Sequence, residues 1–96
     1  MKRCWALLGL LPLAAGAADT MRGAELYGRH CAGCHGGNGR AVLPGAPDLS
    51  NPTALLRPDL ALMATIRTGK GAMPGYAGLL RDREILDVVA HLRTLR

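Results

Sequence analysis

The segment Cys31-Ala32-Gly33-Cys34-His35 is a C-x-x-C-H sequence, and it constrains this chain more than any other feature. Residues three apart lie on one side of a helical turn, so the two thiols can reach the two vinyl groups along one edge of a haem. The histidine that follows can then reach the iron with its imidazole. Two thioether bonds would fasten the backbone to a large apolar disc, around which the rest of the chain must fold.

Two other interpretations of the cysteine pair are open. A zinc site would need a fourth ligand besides Cys31, Cys34 and His35, and the adjacent His30 is poorly placed to supply it. A disulfide between the two cysteines would suit an oxidising compartment. It would leave His35 unexplained, and no βαβ pattern surrounds the pair. Haem attachment accounts for all three residues.

Residues 1–18 have the layout of a secretory signal peptide. Lys2 and Arg3 form a positive start, an apolar run follows, and small residues end the segment. Cleavage is expected after Ala17 or Ala18. The apolar run is shorter than the roughly 20 residues that span a bilayer, which makes an uncleaved anchor the weaker alternative. We therefore predict an exported protein.

The remaining residues, 19–96, are expected to form a single small domain. A domain of this size buries only about 60% of the surface that its unfolded chain exposes, and it is marginal without extra fastening. The chain contains no Phe, and Tyr27 and Tyr76 are the aromatic residues of the part after the signal segment. This shortage indicates that a cofactor, rather than aromatic side chains, fills the centre.

The formal net charge of +5 falls to +3 when the signal segment leaves. The basic residues are spread from Arg22 to Arg96, with no run and no interleaved aromatic residues. This distribution argues against a nucleic-acid-binding face. Mild basicity weakly favours acidic partners.

Hydrophobic periodicity predicts three helices and no strand, over about residues 21–30, 58–68 and 82–96. Gly23 shares a face of the first helix with Leu26 and Tyr27. Because glycine weakens a helix, its presence there indicates that another backbone approaches closely. The helices are separated by Gly- and Pro-rich irregular stretches, and the second of these ends near residue 80.

A haem iron held by His35 has a second axial position to fill. The candidates after the signal segment are Met21, Met63, Met73, His30 and His91. Met73 lies in the second irregular stretch and is followed by Pro74, so its thioether can reach the opposite haem face. Of the other candidates, Met21 begins a helix and Met63 is expected to fill the core. His30 directly precedes Cys31, and His91 is expected at a helix contact. We predict His35 and Met73 as the iron ligands, a pairing that raises the reduction potential.

Together these features resemble the class I c-type cytochromes, the small monohaem proteins of bacterial periplasms. The matching pieces are Gly23-x-x-x-Tyr27, the C-x-x-C-H segment, Gly36-Gly37-Asn38-Gly39, Pro47-Asp48-Leu49 and Ile66-x-x-Gly69-x-x-x-Met73-Pro74. The resemblance implies an all-α class I cytochrome c fold, with three main helices and long loops wrapped around one haem c bound through Cys31 and Cys34. It also implies that the first and last helices cross, with Gly23 and Tyr27 packed on the face of residues 88–92.

The resemblance also implies details of the site and of the helix contact. A proline carbonyl accepts a hydrogen bond from the far nitrogen of His35, which fixes the ring and tunes the iron. Pro47 is our choice, and Pro44 is the alternative. Family members usually carry an aromatic residue where the last helix crosses the first, and here that position is His91. Arg57, Arg67 and Lys70 are candidate neighbours of a haem propionate or of a partner.

For function, the resemblance implies a monomeric periplasmic electron carrier and not an enzyme. Iron saturated by His35 and Met73 leaves no open position for a substrate. Its redox protein partners, a donor and an acceptor among respiratory or periplasmic enzymes, would dock transiently at the haem edge. No nucleic acid and no membrane insertion after cleavage are expected. The alternatives are a haem-bearing subunit of a periplasmic dehydrogenase or nitrogen-oxide reductase, or a ligand-binding sensor if Met73 does not ligate.

Overall fold

The computed structural model describes residues 17–95, which contain four α-helices and one 3-10 turn. The helices are α1 (Thr20–His30), α2 (Ala32–His35), α3 (Asp59–Thr68) and α4 (Asp82–Leu92), and the 3-10 turn is Pro52–Leu55. Over this range the only strand-like pairing is an isolated bridge between Lys70 and Met73. The fold is therefore all-α with three main helices, as predicted, and α2 is a single added turn.

The predicted signal peptide, residues 1–18, lies outside the described residues apart from Ala17 and Ala18. Its cleavage stays a prediction. Among the helices of residues 17–95, none has the length and apolar character needed to cross a membrane.

The helix ends differ from the predicted ones by a few residues. Asp19 caps α1, because its carboxylate accepts a hydrogen bond from the backbone N–H of Arg22 at 3.0 Å. Pro58 has extended backbone angles and precedes α3 instead of opening it. The helix α4 ends at Leu92, short of the predicted end, and the backbone N–H groups of Thr94 and Leu95 donate to the carbonyls three residues back in a tighter final turn.

The helices α1 and α4 cross at Gly23. A Cβ atom at this position would lie 1.9 Å from the carbonyl oxygen of Asp87 and 2.5 Å from its carbonyl carbon. Such distances leave room for a hydrogen atom only. The prediction that another backbone approaches Gly23 is confirmed, and that backbone belongs to α4.

The core is formed around this crossing by apolar side chains of the three main helices. The side chains that are almost completely buried belong to Tyr27, Leu26, Ile85, Val88 and Val89. Asp87 is also buried, and its carboxylate accepts a hydrogen bond from the backbone N–H of Asp19 at 2.8 Å. The crossing is therefore both packed and hydrogen-bonded at the start of α1.

His91 occupies the predicted aromatic position of α4. Its ring lies against Tyr27, with the ring centroids 5.1 Å apart and the planes tilted by 54°. The Tyr27 hydroxyl donates its hydrogen bond to the carbonyl of Gly36 at 2.6 Å and not to the imidazole of His91. His91 is thus a packing residue at the helix contact, as expected, and the contact is between rings.

Replacing His91 with Phe should make the stability less sensitive to acid. Burial lowers the pKa of His91 below its ordinary value of 6.5, so the folded protein takes up this proton less readily than the unfolded chain. The free energy of unfolding therefore falls as the pH drops from above 6.5 towards the pKa of the folded state. Phenylalanine has no such titration. Urea unfolding at pH 8 and pH 5 should show a smaller difference for His91→Phe than for the wild type; equal differences would contradict this.

Arg93 joins the end of α4 to the chain entering α3. Its guanidinium donates to the backbone carbonyls of Leu55 and Arg57, the latter at 2.6 Å, and to the carboxylate of Asp59 at 2.8 Å. One planar side chain with several donors therefore fixes where α3 begins relative to α4.

Candidate haem site

The C-x-x-C-H segment forms a turn that continues from α1. The backbone N–H of Cys31 donates to the carbonyl of Tyr27 at 2.8 Å, and the N–H of His35 donates to the carbonyl of Cys31 at 2.9 Å. The short helix α2 therefore places Cys31, Cys34 and His35 within one turn. Cys31 is half-buried and Cys34 is exposed, and both are free thiols.

His35 has the environment expected of a metal-binding imidazole. Burial lowers its pKa, which favours the neutral ring, the form that binds iron. Its Nδ1 atom is buried and has no hydrogen-bond partner within the described residues. A buried donor without a partner is costly, by about 1–3 kcal/mol. This atom is the far nitrogen for which the resemblance implies a proline carbonyl.

Burial also changes the pKa of Cys31, the cysteine nearer to α1. It raises the pKa of the Cys31 thiol to about 11, and the neighbouring Cys34 adds to the effect. The Cys31 thiol is therefore protonated at neutral pH in the chain before haem attachment.

Met73 lies on a separate segment, the Met73 loop, which we define as residues 69–78. Lys70 and Met73 exchange backbone hydrogen bonds of 3.0 and 2.9 Å, which close a tight turn. Gly69 begins the loop with φ of +80°, and a Cβ atom there would lie 2.6 Å from the carbonyl oxygen of Met73. Glycine at this position is therefore required by both its backbone conformation and the space available.

A cavity of about 480 Å³ separates the two segments. Residues 30 and 31 and residues 34 and 35 line it on the motif side, and residues 70–74 line it on the side of the Met73 loop. Residues 43–47 contribute a third side, so that Pro44 and Pro47 both face the cavity. The volume is within the range of roughly 300–1,000 Å³ found for small-molecule and cofactor pockets. The predicted cysteines, His35, Met73 and both candidate prolines thus meet at one cavity.

These residues fit a haem attached through thioether bonds. Two thiols and an imidazole lie on one turn, a thioether lies on another segment of the lining, and most of the remaining lining is apolar. In residues 17–95 no group of three or more His, Cys, Asp or Glu side chains is arranged to hold a metal ion.

The other methionine and histidine candidates have different environments. Met21 is 80% exposed, and Met63 packs against the hydrophobic core outside the cavity lining. His30 does line the cavity, on the same side as Cys31, with its ring 5.8 Å from that of Tyr76.

The three candidate neighbours of a propionate are placed differently. Lys70 lines the cavity. The guanidinium of Arg57 donates to the hydroxyl of Thr65, another lining residue, at 3.2 Å. Arg67 pairs with Asp82 at 3.4 Å and is outside the lining. Lys70 is therefore the one of the three that lines the cavity, and Arg57 reaches it only through its contact with Thr65.

Tyr76 is a lining residue to which sequence reasoning assigned no role. Its hydroxyl donates to the backbone carbonyl of His30 at 2.9 Å. Burial raises the pKa of Tyr76, and the nearby cysteine thiols add to the effect, so the hydroxyl stays protonated at neutral pH and can donate this bond. Its one signal in the sequence is that it is one of only two tyrosines.

Comparison with known proteins agrees with this site. Residues 18–92 match the family described as cytochrome c oxidase, cbb3-type, subunit III. The chain is 38% identical to cytochrome c6 of Thermosynechococcus vestitus over 91 residues, which cover 91% of this chain and 80% of the relative. Cytochrome c6 of Thermostichus vulcanus is 37% identical with the same coverage.

The fold is similar to that of a solved cytochrome c6 from the diatom Phaeodactylum tricornutum. The two superimpose with a TM-score of 0.63 at 29% sequence identity, covering 78% of this chain and 91% of the other. The family match extends over the helices, the C-x-x-C-H turn and the Met73 loop. The chain therefore belongs to the monohaem class I c-type cytochromes, in the cytochrome c6 and cbb3 subunit III family, and is an electron carrier with one covalent haem c rather than an enzyme.

Proposed function

We propose that this cytochrome carries single electrons between periplasmic redox proteins, with Cys31 and Cys34 bound to the haem and His35 and Met73 as the axial ligands. The observation that supports this assignment is the shared cavity, which brings an imidazole and a thioether from two separate segments to one space. When bound, the haem supplies a one-electron couple. The protein holds the ligands and excludes water.

The carbonyl of Pro47 is proposed as the acceptor for Nδ1 of His35. The nitrogen is buried without a partner, and Pro47 lines the same cavity. A hydrogen bond there would hold the ring and leave Nε2 for the iron. Pro44 lines the cavity as well and remains the alternative.

The region around Cys34 is proposed as the surface where partners dock. Cys34 is exposed, so the haem edge that it anchors would come close to the surface. The neighbouring Val42 is 69% exposed and Leu43 is 41% exposed. Exposed apolar side chains beside a redox centre suit brief docking, in which a donor and an acceptor use the same surface in turn.

Residues 1–18 are proposed to direct export and to be removed, which would place residues 19–96 in the periplasm. The positive start, apolar run and small residues of this segment support export.

A haem-bearing subunit of a larger redox complex is the second candidate function. It is favoured by the description of the matched family as an oxidase subunit.

The proposal is tested on protein produced with a haem-attachment system and isolated from the periplasmic fraction. We expect a mass equal to the chain from residue 18 or 19 plus one haem. The ferric spectrum should show the far-red sulfur-to-iron charge-transfer band, and voltammetry should show a reversible one-electron couple. A protein that lacks the band and binds carbon monoxide rapidly would favour a ligand-binding role. Purification in a stable complex with an oxidase, dehydrogenase or reductase would favour the subunit role.

A further inference from the structure

The Met73 loop is fastened mainly to one side of the fold. The backbone N–H groups of Tyr76 and Ala77 donate to the carbonyls of Ile66 and Arg67 at 3.0 and 3.1 Å. Gly75 fits closely against the end of α3, where a Cβ atom would lie 2.7 Å from the carbonyl oxygen of Arg67. These contacts make the loop an extension of α3.

The opposite side of the cavity is built on α1 and α2. Within residues 17–95, one hydrogen bond joins the Met73 loop to the segment of residues 17–47. It runs from the hydroxyl of Tyr76 to the carbonyl of His30, at 2.9 Å between residues 46 positions apart. The rings of these two residues also meet edge to face at 5.8 Å.

His30 directly precedes Cys31, the first residue of the haem-attachment motif, and Tyr76 follows Met73 by three residues. The Tyr76 hydrogen bond therefore spans the cavity from the start of the haem-attachment turn to the loop that carries the thioether. Pro74 restricts the intervening backbone, because its ring fixes φ. Gly75, the other residue between them, is packed against the end of α3, where a Cβ atom would lie 2.7 Å from the carbonyl oxygen of Arg67. Tyr76 and Met73 are thus joined by a short, packed segment of backbone.

We propose that Tyr76 is a positioning residue, whose hydroxyl bond to the His30 carbonyl keeps the Met73 sulfur on the iron and opposes its displacement by other ligands. The inference rests on the proposed ligation by Met73. It assigns to Tyr76 a role in ligand exclusion, which is separate from its contribution to overall stability.

The test compares ferric haem-loaded wild type with Tyr76→Phe, which keeps the ring against His30 and removes only the hydroxyl. Imidazole is titrated into each protein, and displacement of Met73 is followed by loss of the far-red charge-transfer band. Losing one neutral hydrogen bond should lower the apparent dissociation constant for imidazole about five-fold. A second variant, Tyr76→Leu, should lower it at least as much, because it also removes the ring contact.

Tyr27→Phe is the matched control. It also deletes a tyrosine hydroxyl that donates to a backbone carbonyl, that of Gly36 at 2.6 Å, but this bond does not involve the Met73 loop. Thermal unfolding is recorded for every variant. Tyr27→Phe should lower the unfolding temperature and leave the imidazole dissociation constant within two-fold of wild type, as expected for a bond that lies on the side of His35 and does not hold Met73.

The outcomes separate the inference from the proposal on which it rests. A wild-type protein without the charge-transfer band overturns ligation by Met73, and with it the role of Tyr76. A normal band with equal imidazole affinities in wild type and Tyr76→Phe overturns the role of Tyr76 alone. An equal fall of the imidazole dissociation constant in Tyr27→Phe and Tyr76→Phe would also overturn it, because a general loss of stability would then explain both results.

Discussion

Gly23→Ala should lower the free energy of unfolding of the haem-loaded protein by about 3 kcal/mol, at the upper end of what overpacking costs. The added Cβ would lie 1.9 Å from the carbonyl oxygen of Asp87. Both clashing groups are attached to backbone, so no side chain can rotate away and α1 and α4 must separate. The separation would also stretch the hydrogen bond between the N–H of Asp19 and the Asp87 carboxylate. For a domain of this size the midpoint of thermal unfolding should fall by on the order of 10–20 °C.

Gly28→Ala is the control for this substitution. Gly28 lies on the same helix, is exposed, and would meet no atom within 4 Å of an added Cβ. Alanine stabilises a helix interior relative to glycine by about 1 kcal/mol, so this variant should be as stable as the wild type or more so. Thermal unfolding followed by circular dichroism compares the two. Similar midpoints for the Gly23 and Gly28 variants would contradict the role of the crossing.

The crossing shows why much of this fold could be predicted from the sequence. Gly23 is a poor residue for a helix interior, and it shares a face with Leu26 and Tyr27. Glycine on a buried helix face predicts that another backbone approaches closely there. The helix ends were less predictable. Pro58 precedes α3 with extended backbone angles, and the carbonyl of Arg57 before it accepts a hydrogen bond from Arg93, a contact with a distant part of the chain.

Part of the haem site could likewise be predicted from the sequence, and part could not. Cys31, Cys34 and His35 were identifiable because they lie within one turn, where spacing alone sets geometry. Ligation by Met73 stays a prediction, made from its Gly- and Pro-framed loop and by elimination of the other candidates, and the structure adds that Met73 lines the same cavity as His35. The hydrogen bond of Tyr76 was not, because it joins residues 46 positions apart and depends on the path of the loop. The choice between Pro47 and Pro44 stays a prediction, because both line the cavity.

Met73→Ala should abolish the far-red charge-transfer band of the ferric protein and lower the reduction potential. The thioether favours the ferrous state, and alanine has no atom that can replace it. The fall should be on the order of 100 mV, a modest part of the roughly 0.8 V over which axial ligands shift haem potentials. The open position should also let the ferrous protein bind carbon monoxide, which the wild type should resist. Spectra and voltammetry of the same preparations measure all three changes.

Two other methionines make this prediction specific. Met21 is 80% exposed, so Met21→Ala should leave spectrum, potential and stability unchanged. Met63 packs against the core outside the cavity lining, so Met63→Ala should lower stability and keep the charge-transfer band. If the band survived in Met73→Ala and disappeared in Met63→Ala, the sulfur ligand would come from α3 rather than from the Met73 loop. Tyr76 would then lie beside the site without holding its ligand, so this pair of variants tests the axial assignment and the argument built on it.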